Sequence, residues 1–246
     1  MTLGGKRVLV TGGGTGLGAD MALRFAQSGA EVIVAGRRPG PLNAVAEKHK
    51  NIRAVTADVT IESSVAAMFV HAGPCDIVIA NAGAAESAPF GRVTMDQWNA
   101  MLAVNLTGVF LTFRDGLNQL PGWGRFIAVA STASLKGFAY VAPYAAAKHG
   151  VLGLVKSLAL EVATRPVTVN AICPGYLATE MTERTIETIA RKTGRSPEEA
   201  RRTLASQNSH GRLVEPCEVT AVALRLCGEG SESVNGQAIA VPGAWP

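Results

Sequence analysis

No Cys-x-x-Cys pair occurs in the chain, and its four cysteines, Cys75, Cys173, Cys217 and Cys227, have no histidine at ligand spacing. That excludes a zinc site and a disulfide framework, and four free thiols fit a reducing cytosol. Aromatic residues are scarce at 5%, with only three tyrosines, and they do not interleave with stripes of lysine and arginine. A nucleic-acid partner is therefore not expected. Charged residues make up 17% without runs of one sign, and the net charge is only +4; no disordered charged arm is expected. No apolar stretch approaches the roughly 20 residues of a membrane span. The opening MTLGGKRVLVTGGG enters a short apolar run without the longer core of a secretory signal. The expectation is a cytoplasmic protein with no membrane and no metal. Repeats and Pro/Gly/Ser linkers are missing too, so residues 1–246 read as one domain.

What is present is a core-forming composition, 48% apolar over 246 residues, arranged in a regular rhythm. Short β-branched runs recur between longer helical patterns: RVLVT at 7, EVIVA at 31, IRAVT at 52, DIVIA at 76, RFIAVA at 125, TVNAI at 168 and QAIAV at 237. They are continuous rather than alternating, as in strands covered on both faces, and the segments between them can hold crossover helices. The pattern predicts an α/β fold with a doubly wound parallel sheet of about seven strands. Residues 174–214 break the rhythm with an excursion rich in charge and threonine. Two short amphipathic helices are predicted there, near 181–191 and 197–205, turning at TGRSP. Over the carboxyl edge of a sheet they would form a lid at 176–212; otherwise they are a solvated decoration.

The stretch VLVTGGGTGLGADMALRF passes from a strand through Gly12, Gly13, Gly14, Gly16 and Gly18 into an amphipathic helix beginning near Leu17. Missing side chains let backbone N–H groups approach a pyrophosphate, and the helix directs its positive end at the anion. At the end of the second strand stand Gly36, Arg37 and Arg38, with no carboxylate to oppose a 2′-phosphate. Arg37 is suited to paired charge-assisted bonds to that phosphate, so NADP is favoured, with NAD as the alternative. Two solvated arginines at a strand end are the plainer reading.

Tyr144 is the only tyrosine followed at the fourth position by a lysine, Lys148, and Ser131 stands thirteen residues before it at the end of RFIAVAS. A phenol has a pKa near 10, and a cation one helical turn away is expected to lower it toward neutrality. Ala145, Ala146 and Ala147 keep that helix face open. Upstream, Asn105 lies within the apolar MLAVNLTGVF, where a polar side chain demands a partner.

The T-G-x-x-x-G-x-G loop, the NAG at 81–83, the Ser131, Tyr144 and Lys148 spacing and the proline-glycine turn at 174 together resemble the short-chain dehydrogenase/reductase family, over essentially the whole chain. The resemblance implies a Rossmann-type fold and hydride exchange between a nicotinamide cofactor and a ketone or secondary alcohol. It implies catalytic roles for Asn105, Ser131, Tyr144 and Lys148: Ser131 holds the substrate oxygen, Tyr144 moves its proton, Lys148 binds the ribose and tunes the phenol, and Asn105 holds a water. It implies cofactor contacts from Gly12, Gly14, Thr15, Gly16, Leu17 and Gly18, from Arg37, from Asp58 and Val59, from Asn81, Ala82 and Gly83, from Tyr144 and Lys148, and from Pro174, Gly175 and Thr179. Asp58 alternatively caps a helix, as does Thr179. Ser134 rivals Ser131, and it or Thr132 could line the substrate pocket.

The ending GRLVEPCEVTAVALRLC resembles 3-oxoacyl-thioester reductases and hydroxyacyl dehydrogenases. NADPH-dependent reduction of a 3-oxoacyl thioester or similar ketone is the expected activity. An NAD-dependent dehydrogenase of a cyclic or hydroxy-acid alcohol is the alternative, and a non-catalytic dinucleotide sensor the alternative of another class. At the terminus Pro242 and Ala244 replace an aspartate and a glycine common in the family. The nearly all-apolar helix from Tyr144 onward needs a second cover, so a homo-oligomer, dimer or tetramer, is expected. None of the four histidines has catalytic company; His210 could border the lid, and Trp98 packs a helix.

Overall fold

The computed structural model describes residues 2–241. The terminal stretch containing Pro242, Ala244 and Trp245 lies outside the described residues. Seven strands form one parallel sheet in the order β3-β2-β1-β4-β5-β6-β7. They are β1 (Arg7–Thr11), β2 (Glu31–Gly36), β3 (Ile52–Thr56), β4 (Ile77–Ala80), β5 (Gly124–Val129), β6 (Val167–Pro174) and β7 (Ala238–Val241). Each coincides with one of the apolar runs to within a residue or two, β6 running on past Ile172 through Cys173 to Pro174. The helices between them are α1 (Gly16–Gln27), α2 (Pro39–Ala46), α3 (Glu62–Ala72), α4 (Met95–Leu102), α5 (Gly108–Gln119), α6 (Ala142–Glu161), α7 (Glu180–Thr193), α8 (Pro197–Ala205) and α9 (Pro216–Cys227).

The continuous apolar runs have a simple cause: alternate strand residues enter opposite cores. Val8, Val10, Val34, Ile77 and Ile79 pack with Met21 and Phe25 of α1, Leu42 of α2 and Val219 of α9. Leu9, Ile33, Val78 and Phe126 point the other way, toward Phe69 of α3, Phe113 of α5 and Val151 of α6. Burying each such side chain contributes about 1.5–3 kcal/mol, so both faces hold the sheet rigid. Strand order reverses between β1 and β4. At such a reversal the carboxyl ends of the strands open a crevice, because the loops leaving them turn to opposite faces.

The excursion after β6 contains the two helices expected of it. Gly194 ends α7 in the left-handed region (φ 72°), and Ser196 starts α8 with a reciprocal capping box to Glu199. Ile186, Ala200 and Leu204 bury against one another with Tyr176 and Leu213 beside them. Trp98 is half-buried on α4, and His210 is exposed.

Candidate active site

The glycine loop leaves β1 at the reversal. Gly12 has φ 66°, and a Cβ on Gly18 would lie 2.2 Å from the Gly12 carbonyl oxygen, so the loop closes onto the start of α1 only without side chains there. Thr15 occupies the helix N-cap with no side-chain capping bond, and the first turn of α1 carries no acidic residue. Its N–H groups are thus left for an anion, with the helix dipole behind them. Gly14 faces Pro41 and Leu42 of α2, Gly16 faces the methyl of Thr179, and Leu17 is buried beneath the loop.

Thr11, the first residue of the T-G-x-x-x-G-x-G loop but given no role of its own from sequence, ties this loop to the end of β4. Its buried hydroxyl accepts the N–H groups of Asn81 and Ala82, each at 3.1 Å. Asn81 returns its amide to the carbonyls of Thr11 (3.0 Å) and Gly12 (3.2 Å). The Asn81 side chain therefore holds the loop in shape.

At the neighbouring strand ends Arg37 is exposed after β2, and its charge reaches Asp58 after β3. Burial works against ionisation of Asp58, but the N–H and hydroxyl of Thr60 (2.9 and 2.8 Å) and the Arg37 guanidinium outweigh it and hold the carboxyl below the usual range. Asp58 closes a turn ahead of α3 rather than capping it, since Ile61 is the N-cap. Val59 is buried against Gly108, whose Cβ would come within 2.8 Å of it, so only its main chain faces the loop side.

Asn105 does not sit in a regular α-helix. A wide turn at Ala103–Thr107 separates α4 from α5, with the i→i+5 bonding that often marks functional positions. The turn buries Asn105 completely, and its amide donates to the carbonyls of Ala84 (2.9 Å) and Met101 (3.1 Å) while its oxygen accepts the Ala84 N–H (3.3 Å). A Cβ on Gly83 would lie 2.8 Å from that oxygen and 3.7 Å from Lys148 Nζ. Gly83 therefore marks where Asn105 and Lys148 meet.

Ser131 lies two residues past β5, in extended backbone at the start of a short 3-10 turn. Its hydroxyl accepts the Ala133 N–H (3.1 Å) and lies close enough to the Tyr144 phenol to favour its ionised form, while its own N–H donates to the Ser134 hydroxyl (3.2 Å). This separates the two rival serines. Ser134 is 2% exposed and closes the turn on the Ser131 N–H, and Thr132 is 4% exposed.

Lys148 is 3% exposed, its ammonium 5.8 Å from the Tyr144 ring centre and donating to the Val129 carbonyl at 2.9 Å. Burial pushes Lys148 down from 10.5 to about 8. Burial also raises Tyr144 above the usual tyrosine range, with the Ser131 hydrogen bond pulling it only partway back. The expectation of a phenol lowered by Lys148 is corrected accordingly: Lys148 is buried and Tyr144 half-buried, burial disfavours charge on both, and the ammonium is directed at a carbonyl. Cys173, one residue before the end of β6, lies beside the Ser131 N–H, and burial pushes its thiol up to about 11, so it is neutral. The strand end at Pro174 and the Gly175 N–H, bonded to Val241 at 2.8 Å, lead to Thr179 at the N-cap of α7 without a side-chain capping bond.

A crevice at a sheet reversal, an uncapped glycine-led helix and a Ser-Tyr-Lys cluster at its mouth define a dinucleotide-dependent oxidoreductase. The residues fit a nicotinamide dinucleotide: the free N–H groups of α1 would take the pyrophosphate, Arg37 and Asp58 the adenosine end, and Lys148 the nicotinamide ribose.

Comparison with known proteins agrees. The family model for short chain dehydrogenases matches residues 6–190. A D-beta-hydroxybutyrate dehydrogenase of Cupriavidus necator is 37% identical, covering 99% of this chain and 98% of its own. A 3-oxoacyl-acyl-carrier-protein reductase of Aquifex aeolicus is 33% identical over 98% and 97%. A crystal structure of an actinorhodin polyketide ketoreductase variant with NADPH superposes with a TM-score of 0.88 at 33% identity, covering 96% of this chain and 95% of that one. The chain belongs to the short-chain dehydrogenase family and is an NAD(P)-dependent oxidoreductase. Among the described residues no helix is long and apolar enough to cross a membrane, and no cluster of metal-ligating side chains occurs.

The unusual ionisation of Lys148 has a measurable consequence. Its folded-state value lies below its unfolded one, so between about pH 8 and 10.5 the unfolded chain binds more protons and stability rises with pH. Relative to Lys148→Met, the wild type is expected to gain roughly 1–3 kcal/mol across that window in denaturant titrations. Parallel stability curves would count against a depressed lysine.

Proposed function

We propose that the protein catalyses NADPH-dependent reduction of a 3-oxoacyl thioester or a similar ketone, with Ser131, Tyr144, Lys148 and Asn105 as its catalytic group. The observation that carries this reading is the convergence of Ser131 and the Tyr144 phenol beside a buried Lys148, whose ammonium is 5.8 Å from the Tyr144 ring centre. A bound reduced nicotinamide supplies the hydride to the carbonyl carbon. Ser131 holds the carbonyl oxygen beside the phenol. Tyr144, kept protonated by its burial, then donates its proton as negative charge develops on that oxygen. Lys148 binds the ribose hydroxyls and stabilises the phenolate left behind. Asn105 fixes the Ala84 main chain beside Lys148 and carries the water through which the proton is replaced.

Gly12, Gly14, Thr15, Gly16, Leu17 and Gly18 cradle the pyrophosphate, and Arg37 takes the 2′-phosphate. Asp58 and Val59 border the adenine, while Asn81, Ala82 and Gly83 shape the floor. Pro174, Gly175 and Thr179 hold the nicotinamide side. Residues 176–212 close over the substrate as a lid on a single domain. A second reading, oxidation of a hydroxy acid with NAD, is favoured by the 37% identity to D-beta-hydroxybutyrate dehydrogenase. The same functional reading keeps the enzyme in the cytoplasm, where four thiols stay reduced.

Leu160 of α6 is 80% exposed and Phe110 of α5 43% exposed, with Leu154 and Leu158 half-buried nearby. Such an apolar surface supports a homo-oligomer, a dimer or tetramer, through these helices. Light scattering at micromolar concentration is expected to give at least a dimer; a stable monomer would remove this assignment.

A carbonyl panel read with NADPH and NADH tests the reaction and its cofactor together. Tyr144→Phe is expected to abolish ketone reduction while NADPH affinity, measured by fluorescence, stays within a fewfold of wild type; retained turnover refutes the acid assignment. Arg37→Ala is expected to weaken NADPH binding by about 1.5–3 kcal/mol, leaving NADH almost untouched. Equal losses for the two cofactors would contradict a 2′-phosphate contact.

A further inference from the structure

One buried polar residue outside the cluster described above has both its amide donors and its oxygen engaged with main chain. Asn208 is 3% exposed and lies just past α8, where the chain turns back toward the sheet. Its side-chain oxygen accepts the N–H of Tyr176 at 2.9 Å, and its amide donates to the carbonyls of Tyr176 (2.9 Å) and Arg212 (2.7 Å). Both main-chain polar groups of a single residue, Tyr176, are thus gripped by one side chain. The outgoing and returning stems of the excursion are joined there as well: Leu177 bridges Val214 in parallel, with Val214 N–H to the Tyr176 carbonyl and Ala178 N–H to the Val214 carbonyl, each 2.9 Å.

The residue so held is placed to matter. Tyr176 follows the end of β6 by two positions, and its ring meets Phe138 edge to face at 6.5 Å between centroids. Phe138 belongs to the segment running from Ser131 to Tyr144, so the ring of Tyr176 closes onto the stretch that carries both. On its other side it packs beside Ile186, Ala200 and Leu204 of α7 and α8. It is half-buried, and its phenol lies near enough to Tyr144 to influence that group's ionisation.

We propose that Tyr176 is a specificity-determining wall of the substrate site, limiting the width of the group attached to the reacting carbonyl, and that Asn208 is the positioning residue that fixes this wall. The proposal rests on the reading of Tyr144 as the proton donor at that carbonyl. An aromatic ring held by its own backbone on one side and by Phe138 on the other has little freedom to withdraw. Releasing the two backbone bonds lets the ring move and admits wider groups.

The test uses two 3-keto esters that differ only beside the carbonyl, ethyl acetoacetate with a methyl group and ethyl benzoylacetate with a phenyl. Tyr176→Ala is expected to raise the kcat/KM ratio of the phenyl over the methyl substrate by roughly tenfold, mainly through KM, and Tyr176→Phe to leave it near wild type. Asn208→Ala is expected to move the ratio in the same direction by about threefold or more, without changing NADPH affinity or the pH profile of kcat. In the double variant the ratio is expected to equal that of Tyr176→Ala alone, because Asn208 acts through Tyr176. An unchanged ratio in Tyr176→Ala overturns the wall, whether or not Asn208→Ala folds. Equal loss on both esters in Asn208→Ala, or full additivity in the double variant, overturns the positioning role. No turnover of either ester by the wild type would instead strike the ketone-reductase reading on which the proposal stands.

Discussion

An ammonium closed off from water must find an acceptor or give up its proton, and Lys148 does part of each. Its donor bond to the Val129 carbonyl holds it at the end of β5 while burial brings its pKa down to about 8. Everything at the mouth of the crevice is arranged around that charge. Asn105 and Gly83 form one side of its pocket, Tyr144 stands a turn of helix before it, and Cys173 lies behind it as a neutral thiol. The site can tolerate this cation because the parallel sheet on which it rests is buried on both faces and does not yield.

The phenol and the lysine are pushed in opposite directions by the same cause. Removing water disfavours charge on either, so Tyr144 keeps its proton more firmly and Lys148 holds its own less firmly. The pair in this state is a protonated phenol beside an amine that still carries its charge at neutral pH, though it holds its proton less firmly than a free lysine. That arrangement suits delivery of a proton to a carbonyl oxygen as it gains charge, and it differs from the simpler picture of a cation acidifying a neighbouring phenol through helix spacing alone.

Thr11 and Asn81 show how the cofactor side of the crevice is kept in register with the catalytic side. Their hydrogen bonds join the end of β4 to the loop after β1 across the point where strand order reverses. The first helix then begins without a capping side chain. A loop held from beneath and left open above is what an anionic ligand requires, since its N–H groups are organised before the ligand arrives.

Much of this was legible from the amino-acid order because it depends on local pattern. Seven apolar runs, a glycine-rich strand-to-helix turn and the separation of Ser131, Tyr144 and Lys148 are properties of short windows, and strand and helix periods translate them directly into elements. The two excursion helices were readable for the same reason, from Gly194 and the Ser196 capping box. Other features depend on contacts between distant residues. The hold of Asn105 on Ala84, the Val129 carbonyl under Lys148 and the grip of Asn208 on Tyr176 each join segments separated in sequence. Sequence alone determined which groups the protein possesses and on which elements they ride. Only the tertiary structure decided which of them are withdrawn from water, because burial is set by packing across the whole chain, and it is burial that lowers Lys148 and raises the half-buried Tyr144.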